Sequence, residues 1–106
     1  MTPRFKKIKE QVLGKRYELS LAFLSPAKMR AVTKRTKGKN KVSNVLSFPL
    51  SKTSGEVLIC RAAAKPYTEE YLFIHGLLHL KGLRHGATME REERRILEKS
   101  GLRAHE

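Results

Sequence analysis

Residues 74–85 read IHGLLHLKGLRH and contain three of the four histidines of the chain. In an α-helix, side chains four positions apart lie one above the other, so His75 and His79 present both imidazoles to one side. Gly82 is expected to end this helix and to let the chain turn back, which brings His85 towards the same point. Three imidazoles directed at one point form the ligand set of a metal site.

The alternative for a histidine on an apolar helix is a hydrogen-bonded core side chain without a ligand role. Two imidazoles on one face of a buried helix are costly to bury without partners, and a metal ion removes that cost. We therefore predict one zinc ion held by His75, His79 and His85, with the fourth tetrahedral position open as in catalytic zinc sites. His105 is placed outside the ligand set because it lies at the end of the chain.

The residue after the first histidine separates reaction classes. Zinc peptidases with the sequence H-E-x-x-H carry a glutamate there as general base, whereas this chain has Gly76. Without that carboxylate the peptidase mechanism lacks its proton acceptor, so another hydrolysis is favoured. Gly76 can serve either a close approach of backbone or substrate, or the packing of the helix, and both interpretations stay open.

The second half of the chain predicts two consecutive helices. From Thr68 the sequence has two acidic residues in a first turn and then apolar residues on nearly every side up to Leu80, which is typical of a buried helix. A last amphipathic helix is predicted from Thr88 to Gly101. Its inward-facing residues are Met89, Ile96 and Leu97.

The first half of the chain predicts shorter elements in the order helix, strand, helix, strand, strand. Thr2 and Ser25 can each cap a helix that starts with proline, and a glycine closes both helices. Alternating apolar residues indicate a half-buried first strand, and Pro49 is expected to stop the second strand. The predicted helices start at Pro3 and Pro26, and the predicted strands cover 16–24, 44–48 and 56–60.

The charge distribution indicates a polyanionic partner. The chain carries 23 Lys and Arg against 10 Asp and Glu, a net charge of +13, and residues 1–41 alone hold 13 of the basic but only two of the acidic residues. Such a concentrated excess attracts nucleic acids, whereas a scattered excess would only keep a small protein in solution. Residues 1–41 are therefore the predicted docking surface for nucleic acid.

Composition also limits domain number, compartment and membrane association. A chain of 106 residues, 40% of them hydrophobic, predicts a single domain over residues 1–106. No apolar run approaches the roughly 20 residues that span a bilayer, and the first ten residues lack the apolar segment of a secretory signal. Cys60 has no second cysteine for a disulfide, so a cytoplasmic location is expected.

Three segments of the chain resemble the YbeY family, bacterial metal-dependent endoribonucleases of ribosomal RNA maturation. Residues 75–85, HGLLHLKGLRH, resemble its signature H-G-x-L-H-L-x-G-[YF]-D-H. Residues 43–49, SNVLSFP, resemble its T-[DN]-V-L-S-F-P block, and residues 55–60 resemble its G-D-I-x-I-C strand. The last helix is similar as well, at Met89, Glu90, Ile96 and Leu97.

The resemblance implies an α+β fold, a single small domain with a three- to four-stranded mixed sheet flanked by helices and a metal site at the C-terminus of a buried helix. It also implies zinc on His75, His79 and His85, beside a basic groove for RNA. The family's functional arginine corresponds to Lys37 in an ungapped register, and Arg35 lies two residues earlier, so both are candidate catalytic residues. Lysine keeps the charge but lacks the planar, bidentate contact of arginine with phosphate.

Two departures from the family pattern bear on the site. Arg84 stands where the family usually has aspartate beside its last ligand, which removes an acid that can orient that ligand. Only residues 61–74 lie between Cys60 and His75, a shorter segment than in the family. We therefore expect a helix bordering the groove to be missing and the site to be shallower and more open.

The predicted function is that of a zinc-dependent single-strand endoribonuclease in small-subunit rRNA maturation and ribosome quality control. Its predicted partners are single-stranded rRNA and the small ribosomal subunit with its proteins. Lys37 and Arg35 can stabilise charge that develops on the phosphate, or stay solvated at the rim of the groove. Ser47 and Asn44 can contact substrate or make structural hydrogen bonds.

The alternative function is a ribosome-associated, RNA-binding assembly factor whose metal is structural and whose nuclease activity is weak or lost. Structural zinc sites usually have four protein ligands, so Cys60 or a carboxylate at the fourth position would favour this alternative. A fourth position open to water or an anion would favour the enzyme. A general zinc hydrolase or peptidase is disfavoured by Gly76.

Overall fold

The computed structural model describes all 106 residues, which form four α-helices and one three-stranded sheet. In chain order the elements are α1 (Pro3–Leu13), β1 (Glu18–Phe23), α2 (Pro26–Lys37), β2 (Val45–Ser51), β3 (Ser54–Ile59), α3 (Glu69–Leu80) and α4 (Ala87–Ser100). A 3-10 turn, Arg61–Ala63, follows β3. The α+β class is confirmed, and the order of the helices and strands is the predicted one.

The central strand of the sheet is β3, which runs parallel to β1 and antiparallel to β2. The prediction that Pro49 stops the second strand is wrong, since β2 continues to Ser51 with a shift in pairing between these two residues. The amide of Cys60 bonds to the carbonyl of Asn44. In an antiparallel pair, only every second residue of a strand forms backbone hydrogen bonds to the partner strand. The backbone groups of the residues in between, which include Pro49 in β2, therefore point to the free edge of the sheet. A residue without N–H is tolerated at such an edge.

Each of the predicted N-terminal caps is present. The Thr2 hydroxyl accepts the amide of Phe5 at 3.2 Å, and the Ser25 hydroxyl accepts that of Lys28 at 3.3 Å. Thr68 caps α3 in the same way. These bonds satisfy amides that the first turn of a helix leaves without a carbonyl partner, which fixes where the helices begin.

The buried helix α3 packs against β2 and β3 on one side and against α1 and α4 on others. Phe73, Ile74, Leu77 and Leu78 are fully buried, and the Phe73 ring stacks on Phe5 of α1 with centroids 4.4 Å apart. Burying an apolar side chain of this size contributes about 1.5 to 3 kcal/mol relative to leaving it exposed. The packing therefore holds α3 firmly and sets the direction of its remaining polar side chains.

A second apolar cluster lies between α2 and the sheet, with Met29, Leu46, Leu58 and Cys60 buried in it. Cys60 is a free cysteine, and its side chain has no access to solvent. No helix combines the length with the apolar character that a membrane crossing requires.

Candidate metal centre

The imidazoles of His75, His79 and His85 converge at the C-terminal end of α3. Their ring centroids lie 4.6 to 5.0 Å apart, and one nitrogen from each ring lies within 4.8 Å of the other two. The Nε2 atoms of His75 and His79 are 3.2 Å apart. The three side chains can hold a metal ion together.

A glycine turn brings the third histidine back to the helix. Gly82 has φ +103°, a conformation that favours glycine, and the amide of Leu83 donates across it to the carbonyl of Leu78 at 3.0 Å. The chain reverses at this point and places the exposed His85 opposite the two helical histidines. The predicted role of Gly82 as a helix terminator agrees with this geometry.

Hydrogen bonds at the outer nitrogens set the tautomers of the two helical histidines. Nδ1 of His75 lies 2.5 Å from Oε2 of Glu93, and Nδ1 of His79 lies 3.1 Å from the carbonyl oxygen of Leu83. An ionised carboxylate and a carbonyl can only accept, so each Nδ1 carries the proton. Both Nε2 atoms then hold lone pairs that face each other at 3.2 Å without a proton between them.

Two facing lone pairs repel unless a cation lies between them, so this arrangement fits a metal ion. Tetrahedral zinc with Zn–N bonds near 2.0 to 2.1 Å separates two ligand nitrogens by about 3.3 Å, close to the spacing of His75 and His79. Burial and the neighbouring His75 lower the pKa of His79, although its bond to Leu83 acts in the opposite direction. The lowered pKa keeps His79 neutral at pH 7, as a ligand must be.

Glu93 of α4 is the buried acid of the site. Besides His75 it contacts Tyr71, whose hydroxyl lies 3.4 Å from Oε1. Burial and the Glu93 charge raise the pKa of Tyr71 to about 12, so the phenol keeps its proton and donates it to the carboxylate. A carboxylate that receives the second N–H of a ligating histidine orients the ring and raises its basicity.

Sequence reasoning did not identify Glu93, although a signal for it exists. Glu93 lies four residues after Met89 and four before Leu97, which are both buried. An acidic residue in the middle of the apolar stripe of a helix is costly to bury without a partner. That position alone indicates a polar partner in the interior.

Gly76 lies against the sheet and not in the site. A Cβ atom built at Gly76 would lie 3.1 and 3.2 Å from the two methyl groups of Val57 and 3.5 Å from a methyl group of Val45. Of the two interpretations of this glycine, the structure supports close packing of α3 on the sheet. The same contact excludes a glutamate at this position, because its side chain would enter the sheet.

A cavity of about 420 Å³ opens beside the three histidines. Its other lining residues come from the end of α2, from the residue before β2 and from the start of β2, and they are Lys37, Asn44, Val45, Leu46 and Ser47. Of the two basic candidates, the structure brings Lys37 to the histidines and leaves Arg35 outside the cavity. Arg84 is exposed and does not line the cavity either.

No cysteine or acidic residue joins the three histidines as a potential fourth ligand. Cys60 lies in the apolar cluster under α2, and Glu93 contacts the outer nitrogen of His75, on the far side of the ring from the shared centre. The side of the histidines that faces the cavity therefore has no further histidine, cysteine or carboxylate. Between β3 and α3 the chain forms only the 3-10 turn and a loop, without an α-helix.

Comparison with known proteins identifies the family of the chain. A family model described as Endoribonuclease YbeY matches residues 3–104. The chain belongs to the YbeY family. Endoribonuclease YbeY of Rubrobacter xylanophilus is 34% identical over 82% of this chain and 67% of its own length. Endoribonuclease YbeY of Chromohalobacter salexigens is 36% identical over 82% of this chain and 68% of its own length.

The fold of this YbeY family member also agrees with a solved structure. The solution structure of TM1509 from Thermotoga maritima superimposes with a TM-score of 0.60 over 92% of this chain and 76% of that one, at 22% sequence identity. The predicted resemblance to YbeY is thus confirmed, and so is the enzyme class, that of a metal-dependent endoribonuclease, at the level of the family.

Proposed function

We propose that this YbeY family member is a zinc-dependent endoribonuclease that cuts single-stranded RNA during the maturation of small-subunit rRNA. His75, His79 and His85 are the proposed ligands of the ion. The observation that carries the proposal is the pair of Nε2 lone pairs that face each other at 3.2 Å beside the cavity. Family membership supports RNA as the substrate and rRNA processing as the setting.

Zinc is the ion that we propose for this donor set. All three donors are imidazole nitrogens, which suit zinc and other late transition metals, whereas magnesium and calcium prefer oxygen ligands. The buried Glu93 behind His75 adds the carboxylate that commonly supports a zinc-bound histidine. When bound, zinc supplies a Lewis acid for a phosphoryl oxygen and lowers the pKa of a bound water towards 7.

The protein side chains of the cavity have separate proposed roles. Lys37 reaches the cavity from the end of α2, and its ammonium can bind a phosphate oxygen and offset charge that develops during cleavage. Asn44 and Ser47 line the same cavity and can hydrogen-bond to the sugar or the phosphate. Arg35 lies outside the cavity, so its proposed role is limited to attracting RNA.

The proposed setting is the small ribosomal subunit, both in rRNA maturation and in ribosome quality control. A net charge of +13 supports a polyanionic partner of this kind. Residues 1–106 would act as one YbeY-like metallohydrolase domain.

The second candidate is the assembly factor with a structural metal. Two departures from the family pattern favour the assembly factor. Lys37 in place of the family's arginine loses the bidentate contact with phosphate, and Arg84 in place of its aspartate removes an acid beside the last ligand. The absence of a further histidine, cysteine or carboxylate beside the three histidines favours the nuclease. We therefore keep the nuclease as the proposed function.

Cleavage of a labelled single-stranded rRNA fragment tests the proposal. We expect the purified protein to cut it, to stop after chelation, and to recover when zinc is returned. His79→Ala should be inactive, while His105→Ala, the matched histidine outside the cluster, should cut normally. Equal cleavage in all samples would remove the metal from the mechanism, and a zinc-loaded protein that binds RNA without cutting it would favour the assembly factor.

A further inference from the structure

A second cavity, of about 320 Å³, adjoins the metal cavity. The two cavities share four lining residues, which are Lys37, Asn44, Val45 and Leu46. The second cavity adds the loop after α2 to this shared wall, and its remaining lining residues are Thr33, Lys39, Lys41 and Ser43. A ligand that lies at the histidines can therefore extend along the wall into the second cavity without leaving the protein surface.

The second cavity is strongly positive and has no internal counter-charge. Lys37, Lys39 and Lys41 all line it, and the four ion pairs of the structure involve other residues. Between Glu18 and Glu56 the sequence contains no acidic residue at all. Three ammonium groups that repel one another around one cavity, without a carboxylate nearby, favour an anion as the ligand.

The loop that carries Lys39 and Lys41 is held in place on α2. Gly38 ends the helix with φ +68°, and the chain then turns towards β2. The buried Thr33 hydroxyl lies 2.9 Å from the hydroxyl of Ser43 and 2.8 Å from the carbonyl of Met29, to which it donates. At the outer side of the loop, Arg30 donates to the side-chain oxygen of Asn40 at 3.5 Å. The lysines thus project from an anchored backbone.

We propose that this second cavity, the lysine cavity, binds the internucleotide phosphate next to the one that lies at the histidines. This inference rests on the proposed function, because it takes single-stranded RNA as the ligand. Lys39 and Lys41 would donate to the oxygens of that phosphate, while Lys37, shared by both cavities, lies between the two phosphates. The lining contains no aromatic side chain on which a base could stack, so the backbone of the strand is the part that the cavity recognises.

The test measures binding of a short 2′-O-methyl oligouridylate in the presence of chelator, by fluorescence anisotropy over a series of salt concentrations. Lys39→Gln combined with Lys41→Gln should weaken binding about tenfold at moderate salt. Each neutralised phosphate of a single strand contributes about 0.7 to the log–log salt slope, and the lysine cavity holds one phosphate, so the slope should become smaller by about 0.7. The double variant with arginine at both positions should restore affinity and slope.

A matched pair of variants separates position from charge. Lys6→Gln combined with Lys7→Gln removes the same charge from α1, where neither residue lines the metal cavity or the lysine cavity. It should change affinity less than the lysine-cavity pair, and thermal melting should show that all variants fold. Equal losses from both pairs would overturn the proposal, since attraction would then depend on total charge and not on a site.

The outcome is independent of the nuclease assay, because binding is measured without metal and without cleavage. If the position-specific loss is seen but the rRNA fragment is never cut, the phosphate site stands and the proposed nuclease falls. If the fragment is cut in a zinc-dependent manner but both lysine pairs behave alike, the nuclease stands and the lysine cavity is not a phosphate site.

Discussion

Nδ1 of His75 lies 2.5 Å from Oε2 of Glu93, a residue that is only 4% exposed. The contact joins α3 to α4 across 18 positions of sequence. Since the carboxylate accepts the Nδ1 proton, Nε2 of the same ring is left with its lone pair directed at the other histidines. The last helix of the fold thereby takes part in the chemistry of the metal site.

Glu93→Gln should weaken zinc binding while leaving the three histidines in place. The amide has nearly the shape of the carboxylate but no charge, and it orients the His75 ring less strongly, so we expect a loss of about tenfold in zinc affinity. Competition with a chromophoric chelator measures the zinc affinity. Glu92→Gln is the control, because Glu92 pairs with the exposed Arg95 and contacts none of the histidines. An affinity unchanged in Glu93→Gln would show that the carboxylate does not support the site.

His79→Ala should abolish stoichiometric zinc binding. The wild-type protein is expected to bind one equivalent of zinc, measured by elemental analysis after dialysis, and His105→Ala should retain that equivalent. Because zinc binds only the folded site, saturating zinc should also raise the melting temperature of the wild type but not of His79→Ala. One full equivalent on His79→Ala would place the ion elsewhere.

Gly76→Ala should destabilise the protein by about 1 to 3 kcal/mol, the usual range for overpacking a core. The new methyl group would lie 3.1 and 3.2 Å from the methyl groups of Val57, so the Val57 side chain or α3 must shift by a few tenths of an ångström. Urea unfolding in the presence of chelator measures the change. The double variant with Gly76→Ala and Val57→Ala should lose less free energy of unfolding than the two single variants together, because the smaller alanine at position 57 leaves space for the new methyl group. Strict additivity would mean that the two residues do not compete for space.

The stability of the metal-free protein should fall as the pH drops below about 6.5. The pKa of His79 is lower in the folded state than its ordinary value of 6.5, chiefly through burial and then through the charge of His75. Below pH 6.5 the imidazole of His79 therefore takes up a proton in the unfolded chain but stays neutral in the folded protein, which favours unfolding. This loss of stability is complete once the pH falls below the pKa of His79 in the folded state. Denaturant unfolding at several pH values should show a steeper decline for the wild type than for His79→Asn. Parallel curves for the two proteins would contradict the assignment to His79.

The sequence by itself determined the features that depend on local chain geometry. The caps at Thr2 and Ser25, predicted from residue type and position, are hydrogen bonds between near neighbours, and the structure adds one of the same kind at Thr68. The convergence of His75 and His79 has the same origin, because a spacing of four residues on a helix fixes their common direction whatever surrounds it.

Only the tertiary structure decided which distant residues meet those histidines. Lys37, the counterpart of the family's arginine in the ungapped register, and Arg35, two residues earlier, were both candidates. Side chains two residues apart on a helix point about 200° apart. The packing of α2 brings only Lys37 to the cavity.

Pro49 and Glu93 depend on tertiary structure in the same way. Pro49 remains within β2 because that strand lies at the edge of the sheet, and Glu93 reaches His75 because α4 docks on α3. The physical reason is that local spacing sets the direction of a side chain within one element, whereas its partner depends on how the apolar faces of separate elements pack together.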